Sequence, residues 1–277
     1  MSELIIIKIG GGKSTNVKNV VNDVAGVMKE NPEKRFIVLH GASNELDVLH
    51  EKMNVKKKIL DLASGFESRK TDDEVMDLLL MAYAGKTNKR IVEQFQQLGI
   101  NSVGLSGVDG KLMEARRNKA IKINENGKKL LLKDDLSGTV EKINSELLNS
   151  LIEKGYLPVL SVPPALSDDF KAVNVDADFA SSLVASSLNA SHLLFLSNVP
   201  GLLRDSSNPN SLISKVSLSN FDEVLSFAKA RMKKKLLAAK HAAENGVSFV
   251  LISNSNNNAP VHNALSGNYS GTLVTNE

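Results

Sequence analysis

Apolar residues along the chain fall into short blocks, separated by stretches in which they recur every three or four positions. The first block, Leu4–Ile9, is interrupted only by Lys8 and runs into Gly10-Gly11-Gly12. Such a run reads as a buried strand. Val17–Asn31 has helical spacing and stops before Pro32. Phe36–His40 is a second strand, and Asp72–Leu98 a long helical stretch interrupted at Gly85 and ended by Gly99. Asn101–Leu105 is a third strand. Ala120–Ile123 and Lys129–Leu132 flank Asn124-Glu125-Asn126-Gly127, a hairpin signal. Ser145–Glu153 and Asp178–Leu188 read as helices. Pro158–Val162, followed by Pro163-Pro164, and Leu193–Ser197 read as strands. Phe221–Asn245 is a helix stopped by Gly246, Val247–Ile252 a strand, and Ser253–Asn258 a polar loop. This alternation predicts an α/β fold, a three-layer sandwich with a largely parallel central sheet and helices on both faces.

Composition narrows the class. With 277 residues, 42% apolar and 23% charged, the chain can bury a substantial core and is not a disordered one. It has no cysteine, which excludes disulfides and thiolate metal sites. With no signal-like segment, this predicts a cytoplasmic protein, and no apolar stretch approaches a membrane span. A net charge of +3 and 4% aromatics, with no Trp, argue against nucleic acid but permit an acidic partner.

The glycines after the first strand are phosphate chemistry: backbone N–H groups can approach an anion there, and Lys8 adds a point charge. A Walker A loop is the wrong reading of Gly10-Gly11-Gly12-Lys13-Ser14-Thr15. It needs a glycine five residues before the second glycine of the motif, and Ile7 stands there.

Four patterns follow in order: Lys8-Ile9-Gly10-Gly11, Phe36-Ile37-Val38-Leu39-His40-Gly41, Asn174-Val175-Asp176-Ala177-Asp178, and Leu196-Ser197-Asn198-Val199-Pro200-Gly201. The chain resembles the amino acid kinase family and its acetylglutamate kinase branch. Within that branch it is similar to the carrier-protein-dependent kinases of lysine and arginine biosynthesis. Ser68-Arg69-Lys70-Thr71-Asp72, Gly104-Leu105-Ser106-Gly107, Asp134-Asp135-Leu136-Ser137-Gly138 and Arg231-Met232-Lys233-Lys234-Lys235 carry the finer likeness. The resemblance implies phosphoryl transfer from ATP to a side-chain carboxylate. Lys8 and Lys235 would meet the transferring group from opposite sides, held by Asp178. Gly10, Gly11, Gly41 and Ala42 would bind phosphate. Arg69 and Asn174, with Gly41 and Ala42, would bind the acceptor. Ser197, Asn198, Gly201 and Lys235 would bind nucleotide. No residue cluster has metal-ligand spacing, so Mg2+ would arrive on the ATP phosphates. The lobes implied are 1–170 for the acyl substrate and 171–277 for nucleotide, dividing around Pro163–Asn174, and a homodimer is implied through Asp72–Leu98.

Departures from the family pattern carry their own expectations. Ala42-Ser43 replaces a Gly-Gly pair, and alanine does not reach φ > 0 as cheaply as glycine, which predicts a different loop path. Asn198 replaces an acid found in many relatives, and Arg231 stands where glycine is frequent. The carrier-dependent branch implies an acceptor amide-linked to a small acidic carrier protein. Lys56-Lys57-Lys58, Arg116-Arg117, Lys119 and Lys128-Lys129 are the candidate surface for it. Two alternatives stand beside this reading. One is an N-acetylglutamate kinase acting on the free small molecule. The other is a non-catalytic relative, which Ala42-Ser43 favours and the retention of Lys8, Asp178 and Lys235 opposes. His50, His192, His241 and His262 read as surface or structural, and His40 as a positioning residue at a strand end.

Overall fold

The computed structural model of the chain describes residues 3–125 and 127–276. In the N-terminal half β1 (Leu4–Ile9), α1 (Val17–Glu30), β2 (Arg35–His40) and α2 (Ser43–Lys52) lead to a small hairpin, β3 (Ile59–Asp61) with β4 (Glu67–Arg69). Then come α3 (Asp73–Leu80), a π-helical segment Met81–Thr87, α4 (Asn88–Gln97), β5 (Ser102–Gly107) and β6 (Met113–Arg117). A second hairpin, β7 (Ile121–Glu125) with β8 (Lys128–Leu132), precedes β9 (Gly138–Ile143), α5 (Ser145–Glu153), β10 (Leu157–Ser167) and β11 (Ala172–Asn174). The remainder is α6 (Ala177–Ser187), β12 (His192–Ser197), β13 (Lys215–Ser217), α7 (Phe221–Leu225), α8 (Ala230–Glu244), β14 (Phe249–Asn254), α9 (Pro260–Leu265) and β15 (Gly271–Thr275).

One 11-stranded sheet crosses both halves, in the order β13-β15-β14-β12-β1-β2-β10-β6-β9, with β5 and β11 also on β10. The centre, β14 to β10, is parallel, and antiparallel pairs occur toward the ends. Strand alternation divides the core between two faces. Ile5, Ile7 and Ile9 pack with Val20 and Val24 of α1 and Ile91 and Phe95 of α4. Ile6 packs in the other cluster, with Val184 of α6 and Leu236 and Ala239 of α8. The three layers expected from sequence are therefore present.

Register aligns the carboxyl ends of the central strands, with Ile9 opposite both His40 and Leu196 and Ser161 opposite His40. From β1 the chain goes to β2 on one side, and β12 later fills the other side. A parallel sheet opens a ligand crevice at such a switch in strand order.

Several elements differ from the sequence expectation. Helix α2 was not anticipated. Asp72 caps the long helix by accepting from Val75 N–H at 3.1 Å, and the interruption at Gly85 is a π-helical segment with no break in the helical path. β10 continues through Pro163-Pro164. It pairs with β2 and β5 over Leu157–Ser161 and with β11 and β6 further on, so the prolines fall where the partners change. The expected helix Phe221–Asn245 is two helices, divided before Ala230, whose φ is 43°. Val247 does not open β14, because its N–H closes the end of α8 on Ala242 O at 3.1 Å. The β7–β8 hairpin forms as expected; Asn126 of its turn lies outside the described residues.

His40 ends β2 on the α4 side of the sheet. It is fully buried, Nε2 meets Asn88 Nδ2 at 3.1 Å, and Asn88 also donates to Val159 O at 2.9 Å. Burial pulls its pKa down to about 4, so it stays neutral in the folded protein. The unfolded chain takes up that proton near pH 6.5. Stability from this group is therefore complete above pH 6.5 and is lost as pH falls toward 4, by roughly 3 kcal/mol. Urea melts of wild type and His40→Gln at pH 7 and pH 4.5 test this. The wild type should lose about that much more stability on acidification, and equal losses would mean that folded His40 is protonated.

Candidate active site

Lys8 lies on the Ile6 side of β1, facing α6 and α8. Its Nζ donates to Asp178 Oδ1 at 2.5 Å, and Lys235 Nζ lies 3.1 and 3.0 Å from Asp178 Oδ1 and Oδ2. Asp178 sits in the first turn of α6 and Lys235 in α8, above the Phe195 ring at 5.0 Å from its centroid. Burial opposes the Asp178 charge, but the two ammonium groups and their hydrogen bonds hold its carboxyl well below the usual carboxylate range. Burial and the Lys8 charge push Lys235 down, against the pull of Asp178. Two cations on one anion leave an excess positive charge in a dry place. Burying charge costs several kcal/mol per ion, so this triad is poor stability design and good anion chemistry.

The loops after β1 and β2 meet backbone to backbone. A Cβ at Gly11 would come within 2.3 Å of Ala42 N, and one at Gly41 within 2.9 Å of Gly11 N. Asn44 N–H donates to Gly11 O at 2.8 Å, and Gly10 N–H to Leu196 O at 2.7 Å, tying both loops to the sheet. Ala42 has φ −147° and is buried. No positive φ is needed there, so alanine fits and the anticipated cost of losing glycine does not arise. Ser43 opens α2 without a side-chain cap and faces the same space, and the N–H groups of a helix start suit an anion.

Lys8, Lys235, Asp178, Gly10, Gly11 and Gly41 line one cavity of about 560 Å³. At one end of it Arg69 closes β4. Its Nη2 donates to Asp47 at 2.5 Å, and Asp47 also pairs with Lys57 at 3.0 Å. Arg69 Nη1 is buried with no partner, which leaves a guanidinium donor for a ligand carboxylate. Asn174 lines the same end and donates to Thr71 Oγ1 at 2.9 Å. Ser197, whose buried Oγ has no partner, Asn198, Ala230 and Arg231 also line the cavity. Gly201 is not among the lining residues, and a Cβ on it would meet Thr272. Ala42 contributes backbone behind the lining. Among the described residues no three His, Cys, Asp or Glu side chains gather to hold a metal. None is a helix long and apolar enough to cross a membrane. His50 is buried, and its Nδ1 meets Val55 O at 2.9 Å; His192 packs on Phe249, and His241 on Phe179.

Residues 3–254 match the profile of the amino acid kinase family. The chain belongs to that family. It is 38% identical over 273 residues to a LysW-aminoadipate kinase from Thermus thermophilus, covering 98% of this chain and 100% of that one. It is 34% identical over 253 residues to an acetylglutamate kinase from Methanopyrus kandleri, covering 90% and 94%. Among solved structures, carbamate kinase from Giardia lamblia bound to AMP-PNP superposes with a TM-score of 0.69 at 15% identity, covering 100% of this chain and 99% of that one, a likeness of fold.

In this family member, several lining residues carried no separate signal in sequence. Lys57 stood out only as part of a charge run, and Tyr83, Phe66, Asn118 and Lys234 reach the cavity through tertiary packing. Phe66 shows why: Lys234 Nζ lies 5.4 Å from its ring centroid and donates to Glu67 O at 3.1 Å, a contact between β4 and α8 across 167 residues.

Gly201 has φ 143°, and a Cβ there would fall 2.6 Å from Thr272 Oγ1. Gly201→Ala should cost about 1–3 kcal/mol. Calorimetry should show the melting temperature lowered by several degrees with the ATP KM unchanged. A raised ATP KM at unchanged Tm would instead put Gly201 in the nucleotide site.

Proposed function

We propose that the chain phosphorylates the side-chain carboxylate of 2-aminoadipate, glutamate or both, carried through the α-amino group on a small acidic carrier protein, with ATP as donor. The observation that carries this is one cavity with an unpaired arginine donor at one end and two lysines clamped on Asp178 beside apposed glycine loops at the other. The kinship with the aminoadipate kinase supports the acceptor class.

In this reading Arg69, with Asn174, holds the carboxylate that does not react. The reacting carboxylate oxygen attacks the γ-phosphorus of ATP, the bond from phosphorus to the β,γ-bridging oxygen breaks, and ADP leaves with an acyl phosphate on the acceptor. Phosphoryl transfer asks mainly for alignment and charge neutralisation. Lys8 and Lys235 face the transferring group from two sides, and the Gly10, Gly11, Gly41 and Ala42 loops keep water out and offer N–H groups. Ser197, Asn198 and Lys235 serve the nucleotide. Asp178, engaged by both lysines, offers no free carboxylate to a metal, so Mg2+ would enter on phosphate oxygens and water. Residues 1–170 form the acyl lobe and 171–277 the nucleotide lobe of one continuous domain, in a cytoplasmic homodimer paired through the helical stretch 72–98.

The carrier surface in this reading is the rim around the β7–β8 hairpin. Lys58 pairs with Glu125 and Arg116 with Glu141, whereas Lys119, Lys128 and Lys129 are exposed and carry no ion pair among the described residues. Complementary charge of this kind speeds encounter with an acidic partner.

The test is turnover with carrier-linked 2-aminoadipate, carrier-linked glutamate and free N-acetylglutamate. A carrier-linked acceptor should be used far better than the free one, since remote contacts help orient the carboxylate. Lys8→Ala and Lys235→Ala should each lower kcat about a hundredfold or more with little change in ATP KM. Efficient use of free N-acetylglutamate, with no gain from the carrier, would favour the acetylglutamate kinase alternative that the Methanopyrus relative represents.

A further inference from the structure

The π-helical segment Met81–Thr87 changes which residues face inward. α3 buries Val75, Met76, Leu78 and Leu79. An uninterrupted α-helix would next bring positions near 82, 83, 86 and 90 inside. The buried set instead runs Ala82, Tyr83, Asn88, Ile91 and Phe95. The extra residue of the π turn shifts the register by one, and such turns are frequent at functional sites. Asn88 is thereby aimed at His40, whereas Tyr83, one turn after Leu79 and two after Met76, continues the buried face of α3 and lines the cavity.

Tyr83 is 8% exposed and packs in the cluster of Ala42, Leu46 and Leu79. It also lines the cavity. The groups that act on its hydroxyl are the charges of Arg69, Asp47 and Arg231 and the Ala42 amide, while burial pushes its pKa up and keeps it a neutral phenol. Tyr83 thus packs on Ala42 of the second glycine loop and lines the same cavity as Arg69.

In the reaction proposed above, the fixed carboxylate goes to Arg69 and the reacting one to the glycine loops. Tyr83 lines the cavity that holds both, so its ring is available to flank the methylene chain between them. We infer that Tyr83 is the specificity-determining residue for acceptor length: its ring is the wall that fixes how many methylenes separate the two carboxylates. The inference rests on that assignment of Arg69 and of the acceptor class. One methylene in an apolar site discriminates by about 10–200-fold, within reach of a single side chain.

The test compares wild type, Tyr83→Phe and Tyr83→Leu on carrier-linked glutamate, 2-aminoadipate and 2-aminopimelate. Tyr83→Leu should shift the kcat/KM ratio toward the longer acceptors by about tenfold or more, with ATP KM unchanged. Tyr83→Phe keeps the ring and should stay close to the wild-type ratio. If the leucine variant fails to fold by circular dichroism, Tyr83→Met makes the same comparison. Ratios unchanged from wild type, or equal losses on all three acceptors, would overturn the inference and leave the proposed function standing. A wild type that uses none of the three would overturn both.

Discussion

Asp178 binds two ammonium groups that would otherwise repel each other, and the site is organised around that contact. Lys8 comes from β1, Asp178 from α6 and Lys235 from α8, so three elements converge on one carboxylate. The carboxylate stays ionised because both cations outweigh the cost of its burial. Two lysines on one carboxylate leave an excess of positive charge, which suits an anionic ligand. Neither lysine alone, at about 7% exposure, would hold a charge there cheaply.

The sheet makes this convergence possible. Alternation along β1 puts Lys8 on the face where α6 and α8 pack, and register brings the glycine loops after β1 and β2 to the same edge. There the backbones approach so closely that a methyl group on Gly11 would strike Ala42. On the opposite face His40 and Asn88 anchor the end of β2 to α4 and Val159. The anion loop is thus fixed from both faces.

Much of this was legible in the chain, because strands and glycine turns announce themselves locally. The central strands, the hairpin at Gly127 and the order of Lys8, Arg69, Asp178 and Lys235 could be read from spacing and family likeness. What could not be read depends on contacts between distant residues. The start of α8 has no glycine or proline to mark it, and its break rests on the unusual φ of Ala230. Strand β10 passes through two prolines because its partners change there. Gly201 looked like a nucleotide turn, yet its neighbour is Thr272 on β15, 71 positions away in sequence. The π turn that aims Asn88 at His40 leaves no mark in sequence beyond Gly85.

The role of Asp178 as organiser of both lysines is tested most directly by single-turnover transfer of the γ-phosphoryl group in Asp178→Asn. An amide keeps the size and removes the charge. With ATP binding measured separately and saturated, the transfer rate should fall about a hundredfold or more, as when an oxyanion-stabilising group is lost. A rate within threefold of wild type would contradict the account and reduce Asp178 to a residue that merely suits the start of its helix.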